Sequence, residues 1–222
     1  MIKIIESTDE SHKIAQMLLE IGAIKLNVDK PFLWSSGWNS PIYCDNRLSL
    51  SFPKVRSYIK NLLAEQIKIH YPDTEAIAGV ATAGIAQGAL VAEHLGLPFL
   101  YVRSKPKGHG MENMIEGKIT EKQKVVLVED LVSTGGSSLK AAQALKEAGF
   151  DVQGMIAIFT YGFDIARQNF AEADIPLVCL SDYKILINEA LSQRLISEEQ
   201  VELLKHWREN PEAWTNNARQ QT

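Results

Sequence analysis

The sequence predicts an α/β protein: a parallel sheet flanked by helices, with a small N-terminal hood. Two observations predict the sheet, and a third predicts the hood. From Glu75 onward, uninterrupted apolar runs alternate with amphipathic stretches, as in a sheet covered on both faces. The runs are Glu75 to Ala81, Pro98 to Arg103, Val125 to Asp130, Gln153 to Tyr161 and Pro176 to Leu180. Between them, Gly84 to Leu95 and Ser137 to Ala148 carry helical spacing, with Gly96 and Gly149 placed to terminate each helix. Before Glu75 the pattern changes. After a helix over Asp9 to Ile21, KPFLWSSGWNSPIYCDNR is dense in aromatics, Ser and Gly, too irregular for a βα unit. It reads as a short-stranded lid over the open sheet edge.

The remaining elements follow from local signals. Ser51 to His70 resumes helical spacing, with Ser51 as candidate N-cap and Pro53 in the first turn. After Leu180 the tail is helical, SEEQVELLKHW carrying a capping box of Ser197 and Gln200. No chemistry is evident in it. The expected division is 1–50 for the N-terminal helix and hood, 51–185 for the α/β core and 186–222 for a helical tail.

Composition narrows the function. A chain of 222 residues has room for one full α/β core and a small accessory element. Its 45% hydrophobic and 23% charged residues are those of an ordinary globular protein. A net charge of -4 argues against general binding to nucleic acid or anionic membranes. The N-terminus has charges within its apolar stretch and no small-residue cleavage site, and no apolar run approaches the roughly 20 residues that span a bilayer. Cys44 and Cys179 form neither a CxxC nor a disulfide framework, so a cytoplasmic location is the expectation.

The strongest motif is VVLVEDLVSTGGSSLKAA, Val125 to Ala142. An apolar strand ends in Glu129 and Asp130, passes through Ser-Thr-Gly-Gly-Ser-Ser and opens into a helix. Glycines let backbone wrap closely around a ligand, and the N–H groups of the first helical turn favour an anion there. Ser133, Thr134, Ser137 and Ser138 add hydroxyl donors. An exposed acidic pair repels phosphate, so its partners are sugar hydroxyls, or a magnesium ion and its waters. A ribose 5-phosphate satisfies both halves. The competing reading is an ordinary βα turn with solvated acids. A nucleotide-triphosphate P-loop is excluded by the lack of GxxxxGK[ST], and a dinucleotide fold by the lack of GxGxxG after the first strand.

A second segment, VRSKPKGHGMENMIEGK, follows a strand and interleaves Arg103, Lys105, Lys107 and His109 with Pro, Gly and polar residues. It predicts a mobile surface loop at the same end of the sheet as the phosphate turn.

VVLVEDLVSTGG resembles the phosphoribosyl pyrophosphate signature of the type I phosphoribosyltransferases. VRSKPKGHG is similar to the catalytic loop of orotate phosphoribosyltransferases, and SGWNSPIYCDNR resembles their hood. The resemblance implies transfer of phosphoribosyl from phosphoribosyl pyrophosphate to orotate, giving orotidine 5′-phosphate and pyrophosphate. It implies that Arg103, Lys107 and His109 hold the pyrophosphate, reaching it from the neighbouring subunit of a homodimer. Glu129 and Asp130 would contact the ribose, and Leu131, Val132, Ser133, Thr134, Gly135, Gly136 and Ser137 would cradle the 5-phosphate end. Ser133 would also approach orotate, against which Tyr43 would stack. VATAGIAQGA, from Val80, resembles the loop that meets pyrophosphate through its backbone. Magnesium is the implied cofactor, held mainly through substrate and water. Arg103, Lys107, His109 and Asp130 are the expected catalytic residues.

The sequence departs from this pattern in four places. Ser104, Ala83 and Ser35 stand where well-known bacterial members carry lysines, and after IFTYGFD there is no arginine at the position where those members use one to hold the orotate carboxylate. Two other readings compete: transfer to a purine or uracil, against which stand the hood and the PKGHG loop, and a non-catalytic sensor of phosphoribosyl pyrophosphate. A sensor would be expected to carry a DNA-binding domain or a basic surface.

Overall fold

The computed structural model describes residues 2–6, 8–34, 37–105 and 114–212. In chain order, β1 (Ile2–Ile4) leads into α1 (Thr8–Glu20). Then come the hood strands β2 (Ile24–Leu26), β3 (Phe32–Leu33), β4 (Asn39–Ser40) and β5 (Ile42–Cys44). A 3-10 turn (Asn46–Ser51) joins them to α2 (Pro53–His70). The core continues through β6 (Ala76–Val80), α3 (Ala83–Leu95), β7 (Phe99–Val102), β8 (Ile115–Glu116), β9 (Lys124–Val132) and α4 (Gly136–Glu147). It closes with β10 (Asp151–Thr160), α5 (Asp164–Glu172), β11 (Leu177–Asp182), α6 (Tyr183–Ser192) and α7 (Glu198–Glu209).

One sheet, ordered β1-β11-β10-β9-β6-β7-β8, organises the molecule. All its pairings are parallel except β7 with β8. Side chains alternate across a strand, so each buried strand feeds two cores. Val126, Val128, Ile156 and Ile158 pack with Ile14 and Leu18 of α1 and Ile59 and Leu63 of α2. Val125, Leu127, Met155 and Ala157 face the other way, onto Ala141 and Leu145 of α4 and Phe170 of α5. Hence the unbroken apolar runs.

The strand and helix expectations of the core hold, with ends moved by at most two residues. Gly96 and Gly149 do sit in the left-handed region, at φ 68° and 89°. The capping box of Ser197 and Gln200 is present at the start of α7. Ser51 is not the N-cap of α2. It ends the 3-10 turn, and extended Phe52 precedes Pro53, whose fixed φ suits the first helical position. Sequence patterning missed β1, which pairs with β11, and β8, which is only two residues long. The hood is short-stranded as expected. It lies over the carboxyl ends of β9 and β10, where Trp34 packs on Tyr161 with ring centroids 5.2 Å apart, and not at the open sheet edge.

Candidate functional site

The turn after β9 is built to present backbone. Gly135 is left-handed at φ 85°, and a Cβ there would meet the Phe170 ring at 2.7 Å. Only glycine fits this position. The Asn169 side chain of α5 donates to the Thr134 carbonyl at 2.9 Å, pinning the turn from outside. Helix α4 then starts with no side-chain cap. Its first N–H groups therefore point outward unclaimed by the helix, with the positive end of its dipole behind them. Gly136 and Ser137 are exposed, and Ser133 and Thr134 are half-buried at the same mouth.

The two acids before the turn are not equivalent. Glu129 is only 5% exposed, which corrects the expectation of an exposed pair. Its Oε2 accepts from the Ser138 hydroxyl of α4 at 2.9 Å, and its Oε1 from the backbone N–H of Asp130 at 3.1 Å. Burial, and then the adjacent Asp130 charge, pushes the Glu129 carboxyl well above the usual range. Burial also raises Asp130, opposed by hydrogen bonding to Glu129. Both carboxyls therefore lose their protons at higher pH than solvated carboxylates do. Asp130 is half-buried, and its carbonyl accepts from the Asn46 amide at 2.7 Å. That bond ties the 3-10 turn below the hood to the end of β9. Val132 is fully buried, so only its backbone can serve a ligand; its carbonyl already accepts from the Thr160 hydroxyl at 3.0 Å.

Beside the turn, a cavity of about 640 Å³ opens between hood and sheet. Trp34, Trp38 and Tyr43 wall it, Leu131 and Tyr161 floor it, and Ser133 and Thr134 line its phosphate-turn side. A pyrimidine needs much less than this volume, so base and ribose fit together. Tyr43 is 41% exposed and stands 5.6 Å from the Phe32 ring. Directly opposite it across the β2–β5 pair is Lys25, a cation the sequence reading did not single out. A strand period of two, applied to the hood, would have placed Lys25 and Tyr43 on one face.

Arg103 ends β7 and meets Glu116 at 3.5 Å. It shares a small slot with Ser137, Lys140 and Ala81, so the strand-end arginine and the phosphate turn do come together. Ala81 belongs to the turn after β6, where the Ala81–Thr82 peptide is cis. There the helix α3 approaches β9 so closely that a Cβ on Gly84 would collide with the Val128 carbonyl. Ala83 opens α3, and Ser104 and Lys105 are exposed. Lys107, His109 and Ser35 lie outside the described residues.

The tail also contributes to the site. Trp207 of α7 is fully buried, 5.6 Å edge-on to Trp34 and 5.9 Å from Tyr161. Behind the aromatic floor of the cavity stands this helix, and the adjacent Arg208 donates to the Gly162 carbonyl at 3.0 Å.

A parallel sheet with an uncapped, glycine-built turn and two acids at its carboxyl edge points to a class of α/β enzyme. Residues 47–182 match the phosphoribosyl transferase domain family. The chain is 57% identical to an orotate phosphoribosyltransferase of Cytophaga hutchinsonii over 202 residues, 91% of this chain and 97% of that protein. It is 58% identical to one from Porphyromonas gingivalis over 201 residues, 90% of this chain and 96% of that protein. The chain belongs to the orotate phosphoribosyltransferase family. Among solved structures, the crystal structure of orotate phosphoribosyltransferase from Aeropyrum pernix superposes with a TM-score of 0.71 at 29% identity, covering 83% of this chain and 99% of that one. Leishmania donovani UMP synthase gives a TM-score of 0.74 at 22% identity over 90% of this chain and 43% of its own, a likeness of fold alone.

Proposed function

We propose that this chain transfers the phosphoribosyl group of phosphoribosyl pyrophosphate to a ring nitrogen of orotate, releasing pyrophosphate and giving orotidine 5′-phosphate. One observation carries the reading: an uncapped helix start, a carboxylate pair and an aromatic cavity meet around Ser133 and Thr134. The turn from Leu131 to Ser137 holds the 5-phosphate end on backbone N–H groups and hydroxyls. Glu129 and Asp130 accept from the ribose hydroxyls. Orotate enters the aromatic cavity and lies against Tyr43.

As the bond from ribose C1 to the pyrophosphate oxygen breaks, the nitrogen lone pair forms the new C1–N bond. Positive charge grows on the ribose and negative charge on the leaving group. Arg103, Lys107 and His109 neutralise the departing pyrophosphate, a contribution concentrated in the transition state. Among the described residues no three His, Cys, Asp or Glu side chains gather as a metal cage. Magnesium would be held through oxygens of the donor and water, with half-buried Asp130 beside it, and would supply charge neutralisation to the pyrophosphate.

The active form proposed is a homodimer in which Arg103, Lys107 and His109 serve the partner's site. Among the described residues no helix is long and apolar enough to cross a membrane. A cytoplasmic location is proposed, supported by the two free thiols, Cys44 and Cys179. A base panel tests the reaction. With magnesium and the donor present, pyrophosphate release is expected to be far faster with orotate than with uracil, hypoxanthine or adenine. Release with one of the others alone would refute it.

A further inference from the structure

Orotate differs from uracil by one carboxylate, and that group needs a cation or several donors once it leaves water. Among the described residues, the cavity assigned above to the base is lined by aromatic, aliphatic and small polar side chains and by no cation. The first arginine after β10 is Arg167 of α5, which does not line this cavity. A second cavity, of about 220 Å³, adjoins the first, and the two share Trp38 and Thr134. One cation lines it: Arg208, from the last turn of α7.

We infer that Arg208 receives the carboxylate of the base, so that the C-terminal helix supplies the discrimination between orotate and uracil. This inference rests on the reaction proposed above. Arg208 is half-buried, and its Nη1 is fixed by the Gly162 carbonyl at the end of β10. One donor therefore holds the guanidinium in place, and the rest of the planar fork remains for a carboxylate, a group whose geometry it matches. The acids of the same cavity, Asp164 and Glu209, are exposed at its mouth. Other cations are placed less well. Arg167 and Lys205 line a third cavity, which Arg208 and Tyr161 also line but which reaches neither Trp38 nor Thr134. Arg47 is paired with Asp45 at 2.6 Å. Lys25 stands on the hood wall, across from Tyr43.

Trp207 explains why Arg208 can be relied on for position. It is locked among Trp34, Tyr161, Phe163 and Tyr183, all within 5.9 Å between ring centroids. The neighbouring residue therefore has a fixed backbone at the back of the base site.

The test compares the wild-type chain with Arg208→Gln and Arg208→Lys, using orotate and uracil as acceptors. For Arg208→Gln, KM for orotate should rise about ten- to hundredfold, the range for losing a charged hydrogen-bond partner. KM for the donor and kcat/KM for uracil should stay within about twofold, so that the preference for orotate collapses. Arg208→Lys should recover part of the orotate affinity, because it restores charge without the fork. An unchanged orotate preference in Arg208→Gln overturns the inference, and would be the outcome if Lys25 held the carboxylate. A parallel loss with both acceptors also overturns it, since it marks Arg208 as a tether of the Gly162 turn. If the wild-type chain does not use orotate at all, the proposed reaction itself falls, which the first measurement reveals separately.

Discussion

Glu129 and Asp130 are neighbours in sequence with different surroundings, and the difference has measurable consequences. Folding raises the Glu129 pKa, so the folded chain holds that proton more tightly than the unfolded chain. Its stabilising contribution is complete below the unfolded value of about 4.3 and is lost as pH rises through the folded value. Glu129→Gln removes the titration, and its amide oxygen can still accept from Ser138. Melting temperatures between about pH 4 and 8 should therefore fall less steeply in the variant than in the wild type. Equal slopes would mean that Glu129 does not titrate in this range. In activity both variants should suffer. Asp130→Asn and Glu129→Gln are each expected to lower kcat/KM at least about tenfold, as the charged acceptor of a ribose hydroxyl is lost. Near wild-type turnover in either would reduce that acid to a structural role. The pairing of acids was legible in the sequence, because strand, acids and turn are contiguous. Their unequal burial was not, since it depends on Ser138 reaching back from α4.

At the scale of elements, α7 carries the largest departure from expectation. Its capping box was readable, because Ser197 and Gln200 are three residues apart on one turn. Its role was not readable, because Trp207 meets Trp34, Tyr161 and Tyr183 only after the chain has wound the whole sheet. Trp207 is the bulkiest fully buried side chain, yet its indole N–H has no hydrogen-bond partner. Packing, then, is what it contributes. Trp207→Ala should cost about 3–5 kcal/mol of stability by leaving a cavity. Trp207→Phe should cost clearly less, because it keeps an aromatic ring and removes an unsatisfied donor. Denaturant titration of the three proteins measures this. A Phe variant as unstable as the Ala variant would mean that the indole makes a specific contact after all. Within the hood, Trp34 is covered by its own chain, whereas Leu33 and Tyr43 remain 71% and 41% exposed.

For the whole molecule the proposal to test is the shared site. Lys107→Ala and Asp130→Asn damage different halves of it. In a hybrid dimer with two-fold symmetry, one site carries both lesions and the other carries none. Mixing the two inactive variants should then restore about half the wild-type activity per hybrid dimer. Confirmed subunit exchange with no recovery would show that each chain works alone. Leu33, Leu48 and Phe52 are among the exposed apolar residues that a partner could cover.

By itself the sequence determined what is local or periodic. Apolar runs set the strands of the core, Gly96 and Gly149 closed its helices, and the stretch from Val125 to Ala142 declared an anion-binding turn. Each is a property of residues within a few positions of one another, where backbone geometry leaves few alternatives. Only the tertiary structure decided which distant groups share the cavity. Asn46 reaches the end of β9, and Arg208 returns from the last helix to the end of β10. Those meetings depend on sheet order and on how buried aromatics pack, and packing is a property of the whole core that no short window of sequence contains.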